Sequence, residues 1–142
     1  MTSVKTWLDP DEVHIAVLVG MLHQRFATAY DPEQWDGLRI SHLRVITAVP
    51  PDGVSITALA ERVGMTKQGC GQFVTSLVES GHLEIGSTDD RRLRLVSRTE
   101  TGESIIRRQT AHLRAMEEEW ADQVGPRRYA TFRKVLDELA WG

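Results

Sequence analysis

The sequence has one cysteine in 142 residues. That excludes an intrachain disulfide framework and fits a reducing compartment. It has no apolar run near the ~18 residues that a membrane span needs, and its first residues, MTSVKTWLDPDE, lack the charged and then apolar pattern of a secretory leader. The expectation is a cytoplasmic protein with no membrane association. A surplus of positive charge is also missing, since 17 Lys and Arg stand against 20 Asp and Glu for a formal charge of −3. This excludes a coat for nucleic acid held by a global basic field, so any phosphate contact must come from local clusters. There is no nucleophile elbow, no Gly-rich phosphate loop and no zinc-hydrolase motif. The five histidines, His14, His23, His42, His82 and His112, show no paired helical spacing and no accompanying cysteines. The sequence therefore points to no enzyme, no metal and no cofactor.

What is present is a 41% hydrophobic chain, enough for one core and one domain over residues 1–142. The pattern is mainly α with a small β-element. Asp9-Pro10-Asp11-Glu12 has the residues of a capped helix start, and the following VHIAVLVGMLHQRF is apolar around most of its circumference, as expected of a helix covered by a second subunit. YDPEQWDG, beginning at Tyr30, is turn-rich, with Asp31-Pro32 placed to open a single helical turn. Ser41 is the expected cap of a short helix with His42, Val45, Ile46 and Val49 on one face, which Pro50-Pro51 ends.

The stretch ITALAERVGMTKQGCGQFVTSLV, residues 56–78, reads as two helices and a tight turn. Ile56, Leu59, Ala60 and Val63 form one apolar stripe behind Ser55 as cap, and Gly64 stops the helix. Thr66 caps a second helix, with Cys70, Phe73, Val74 and Leu77 on one face and Gln68, Gln72, Thr75 and Glu79 on the other. A solvated face is ordinarily rich in Lys and Glu. Gln, Thr and Gly here offer donors, acceptors and close approach, which suits reading base edges in a major groove. A β-hairpin follows, with Leu83 and Ile85 before the turn, Leu93 and Leu95 after it, and GSTDDRR between. Its position behind a helix-turn-helix makes it a wing. Arg91, Arg92, Arg94 and Arg98 form the densest positive cluster of the chain, suited to a minor groove or to phosphates. Thr99 then caps a helix of five or six turns with Ile106, Leu113, Met116 and Trp120 along a seam. Gly125-Pro126 starts a last helix carrying Tyr129, Phe132, Leu136 and Leu139. MEEEW reads as a solvated face.

This order resembles the MarR family of transcriptional regulators from about Ser41 to Leu139. The resemblance rests on ALAERVGMTKQ with LVESGHLE and on DDRRLRLVSRTETG, which is similar to the family's Asp-x-Arg wing signature, Leu-Thr and Gly-containing helix start. It implies a winged helix-turn-helix over residues 38–98, flanked by dimerisation helices over 9–30 and 99–140. It also implies a homodimer that binds double-stranded DNA at a pseudo-palindromic operator, with half-sites roughly 34–36 Å apart. By that resemblance Asp90 holds Arg92 for the minor groove, beside Arg91 and Arg94. Thr66, Lys67, Gln68, Gly71, Gln72 and Thr75 are the expected DNA contacts of the reading helix. Arg98 replaces the family's leucine, which implies a more exposed strand end or an added phosphate contact. Gly71-Gln72 stands where many relatives have Thr-Arg, so their base preference does not carry over. The resemblance further implies a repressor released by a small aromatic or anionic effector, with His23, Phe26, Arg39 and His42 as the candidate pocket.

Two rival readings remain at this level. One is a winged-helix interaction module that no longer binds DNA, favoured by the acidity and by Gly71-Gln72. The other is a redox regulator acting through Cys70, although its place on the inward face with Phe73 and Leu77 favours a buried packing residue.

Overall fold

The computed structural model describes residues 9–87 and 94–142. The chain divides into two compact units, Met1–Leu43 and Arg44–Gly142.

In the first unit Asp9 does cap a helical start, its Oδ1 accepting from Asp11 N–H at 2.9 Å. The result is only a 3-10 turn, Pro10–Glu12. Val13 leaves helical geometry, and α1 (Ile15–Thr28) begins afresh after His14 with no side-chain cap. The Asp9 carboxylate bonds two residues ahead, which closes a tight turn without nucleating an α-helix. None of α1 is buried, and Ile15 is 73% exposed with Leu18 and Val19 also open. Asp31 caps the expected single turn, Pro32–Trp35, and Asp36 and Gly37 leave it with positive φ. Trp35 and Leu38, which no sequence pattern marked, are both buried.

α2 (Ile40–Ala48) crosses from the first unit into the second. Its start differs from the expected Ser41 cap. The Nδ1 of His42 accepts from the Arg39 N–H at 3.2 Å, the half of a capping box in which a side chain three residues on reaches back. Ser41 is inside the helix.

In the second unit, Val45 and Ile46 of α2 and Val49 just beyond its end are fully buried. Gly53 turns the chain at φ 82, and a Cβ there would press on Ser97 Oγ at 3.0 Å and Val96 O at 3.2 Å. That close approach lets Val54 pair with Val96 as a short third member of the wing sheet. α3 (Ile56–Val63) and α4 (Lys67–Glu79) follow, then β1 (Leu83–Ser87) and β2 (Arg94–Arg98), which run antiparallel. The register sets Leu83 against Arg98 and Ile85 against Val96. The inward residues are therefore Leu83 and Val96, both buried, not Leu95. A one-residue difference in phase exchanges the faces of a strand, and the buried Val54 partner fixes that phase on Val96.

α5 (Glu100–Val124) is 25 residues, about seven turns and so longer than expected. Its fully buried residue is Ile105, while Ile106, Leu113, Met116 and Trp120 are half-buried. Gly102 is fixed by contact, because a Cβ there would fall onto the carbonyl oxygen of His82. α6 (Pro126–Trp141) is tied back to α5 through Glu117, in the acidic stretch that reads by pattern as a solvated face. Glu117 Oε1 accepts from Tyr129 Oη at 2.8 Å and from Arg133 Nε at 3.1 Å. Burial and this carboxylate push the Tyr129 hydroxyl up to about 12.

Candidate nucleic-acid interface

Two caps and a stop build the reading element. Ser55 Oγ accepts from Ala58 N–H at 3.2 Å to start α3, and Gly64, at φ 68, ends it with its N–H turned back to Ala60 and Glu61 carbonyls. Thr66 Oγ1 accepts from Gly69 N–H at 3.0 Å to start α4. Each is a local signal in the sequence, and each occurs where expected.

α4 separates its faces cleanly. Cys70, Val74 and Leu77 are fully buried, and Lys67, Gln68, Gln72 and Thr75 are exposed. Gln68, Gly71, Gln72 and Thr75 follow i, i+3, i+4 and i+7, one continuous outward stripe. In the middle of that stripe a Cβ on Gly71 would meet nothing within 4 Å. Packing therefore does not require glycine there. The Thr75 hydroxyl donates to Gly71 O at 2.9 Å, so toward a ligand it offers lone pairs and not its proton. Thr66 likewise spends an acceptor position on its cap. Gln68 and Gln72 retain the donor and acceptor pair suited to a base edge.

Of the wing residues, Arg94 is exposed at the distal end of β2, opposite Ser87. Asp90, Arg91 and Arg92 lie outside the described residues. Arg98 does not join the outward cluster. Its side chain is 15% exposed and turned inward, donating to the carbonyls of Ile46 and Thr47. Arg44 donates to Val63 O at 2.6 Å and Arg62 to Ala48 O at 3.4 Å. Three guanidinium groups thus serve the C-terminal carbonyls of α2 and α3, where cations favour the helix dipole.

The four residues suggested for an effector all lie in the first unit. His23 and Arg39 are exposed, Phe26 and His42 half-buried, and the His42 ring is bonded to the Arg39 backbone. An open hollow of about 540 Å³ lies elsewhere, lined by Thr47, Pro50, Pro51, Arg62, Arg98 and Trp141 among others. Cys70 is fully buried, and desolvation raises its thiol pKa, the opposite of what a reactive thiolate needs. Among the described residues no group of three or more His, Cys, Asp or Glu could hold a metal ion. No helix there is long and apolar enough to cross a membrane.

This geometry has many solved counterparts. One is the Streptococcus pneumoniae regulator FabT in complex with DNA, at TM-score 0.74 and 17% identity, covering 89% of this chain and 93% of that one. The fold is that of MarR-type transcriptional regulators. A second MarR-type structure, a MarR/EmrR family transcriptional regulator from an Acinetobacter species, matches at TM-score 0.68 and 18% identity, over 94% and 96% of the two chains. A third, the PcaV transcriptional regulator of Streptomyces coelicolor with its natural ligand, matches at 0.67 and 20%, over 94% and 95%. No family model matches the sequence, and no curated protein matches it. At these identities the likeness is one of MarR-type architecture, a mainly helical chain with a two-stranded wing. Gly102, Glu117 and Val54 went unassigned in the sequence, and Arg98 was read outward, because each acts through a partner distant in the chain. Only the Gly of TETG left a visible sign.

Proposed function

We propose that this chain is a sequence-specific DNA-binding transcriptional regulator that acts as a homodimer on a pseudo-palindromic operator, as a repressor. The observation that carries the reading is the exposed Gln68, Gln72 and Thr75 around the half-buried Gly71, on a helix whose opposite face buries Cys70, Val74 and Leu77. Hydrogen-bonding side chains around a bare backbone suit a major groove better than they suit water. Lys67 at the head of α4 and Arg94 at the distal end of β2 supply exposed positive charge. A neighbour of the same fold is described as a DNA complex.

Exposed apolar side chains on α1, and separately Phe132, Val135, Leu136, Leu139 and Trp141 on α6, support self-association, since such surface is costly in a monomer. A small-molecule effector is part of the proposal by analogy with the liganded PcaV regulator.

The test is fragment selection from the source genome, followed by binding to the selected site across about 50 to 200 mM salt. Affinity should fall steeply with salt, and Gln72→Ala should cost about 1–3 kcal/mol on that site and little on random DNA. An equal loss on both would show that Gln72 does not read bases. No binding even at low salt would sink the regulator reading and leave a winged-helix interaction module in its place.

A further inference from the structure

The C-terminal end of α2 has a deficit that the sequence creates. The carbonyls of Ile46 and Thr47 would ordinarily receive N–H groups four residues on. Those residues are Pro50 and Pro51, which have no N–H to give. Ile46 O accepts one bond from Val49 N–H at 3.1 Å. Arg98 makes up the rest, its Nε donating to Ile46 O and its Nη2 to Thr47 O, each at 2.9 Å. Its remaining nitrogen, Nη1, lies 3.5 Å from Glu103 Oε2 in the first turn of α5.

We infer that Arg98 is a positioning residue: by replacing the two donors that Pro50 and Pro51 lack, it clamps the base of the wing strands to α2 and α5 and so fixes how the wing is held. Three features of the structure support the clamp. The guanidinium is planar and presents Nε and Nη2 side by side, so one rigid group reaches two adjacent carbonyls; an ammonium is a single point and leucine has no donor. Arg98 is the last residue of β2 and pairs with Leu83 at the start of β1, so holding it holds both strands at their shared base. Two residues earlier, Val96 is bonded to Val54 in both directions, at 2.8 and 3.0 Å. The proximal half of β2 is thus held at two successive inward-facing positions, whereas Arg94 at its distal end is exposed. The clamp stands on this geometry alone, and its consequence for DNA affinity rests on the regulator reading above.

The test compares Arg98→Leu, Arg98→Lys and the unaltered protein by amide hydrogen exchange and by DNA binding over a salt series. Arg98→Leu should speed exchange in Leu83–Ser87 and Arg94–Arg98 while α3 and α4 keep their protection. Its affinity for DNA should drop about tenfold or more with the salt slope unchanged. Arg98→Lys should fall between the two and serves as the test if the leucine variant does not fold. Unchanged exchange in the wing strands would overturn the clamp. A salt slope lowered by about one would also overturn it, because that is the signature of a lost phosphate contact. Faster exchange with unchanged affinity would overturn the positioning role. If the unaltered protein binds no DNA, the regulator reading fails, and exchange in the wing strands still decides the clamp.

Discussion

Alanine at position 71 puts stability and function on opposite sides. Gly71 is inside α4, four residues past its first, where glycine costs about 1 kcal/mol relative to alanine. The added Cβ meets nothing within 4 Å and the φ is ordinary, so no steric term offsets that gain. The hydrogen bond from Thr75 to the Gly71 carbonyl does not involve the new methyl. Gly71→Ala should therefore stabilise the free protein by about 1 kcal/mol, raising Tm by roughly 3–5 °C for a chain of this size. If the bare backbone is there so that DNA can approach it, the methyl should cost about 1–3 kcal/mol of binding, as overpacking does in any close contact. Thermal unfolding and fluorescence anisotropy on the selected operator measure the two terms separately. A higher Tm with unchanged affinity would refute close approach. A higher Tm with tighter binding would show instead that the glycines keep this turn loose until DNA orders it. A lower Tm would contradict the open space seen at the position.

Gly102→Ala should be strongly destabilising, by about 1–3 kcal/mol or more, because its Cβ has only the His82 carbonyl to displace; denaturant midpoints measure it, and a loss below a few tenths would show that α5 shifts freely. Tyr129 should titrate near pH 12, readable by tyrosinate absorbance in a Tyr30→Phe background that leaves it the only tyrosine. Its folded pKa is raised above the ordinary 10, so its contribution is complete below pH 10 and lost as pH rises toward 12. Tyr129→Phe should remove that part of the alkaline loss of stability, and an identical pH profile would show that the contact to Glu117 contributes nothing.

The elements legible in the sequence were those whose determinants lie within one turn of the chain. Ser55, Thr66 and Thr99 each accept from the N–H three residues on, and such caps depend on identity and spacing alone. The apolar stripe of α3 and the two faces of α4 are likewise periodic facts. The errors share a different origin. Asp9-Pro10 has the residues of a helix start, but Val13 leaves helical geometry. Ser41 was outcompeted by a histidine ring. The inward phase of β2 depends on Val54, some forty residues away, and Arg98 reads as part of the wing's positive cluster because nothing near it in sequence reveals the Pro50-Pro51 deficit it answers. Of the expected contacts, those on α4 rest on local pattern, and those at Asp90, Arg91 and Arg92 fall outside the described residues.

The length of α5 has a mechanical consequence. At about 1.5 Å per residue its 25 residues span roughly 37 Å. Its first turn is seated against the hairpin base through Gly102 on the His82 carbonyl, Thr99 Oγ1 on Gly81 O and Glu103 beside Arg98. Such a helix is a lever with one end anchored. A tilt of only about 5° about that anchor carries the Val124 end by about 3 Å, simple trigonometry on the helix rise, and the same rotation passes to the hairpin if the joint stays rigid. Small rearrangements where α5 meets α6 would then turn the hairpin and the α4 packed on it together, and glycine at position 102 helps keep that joint stiff.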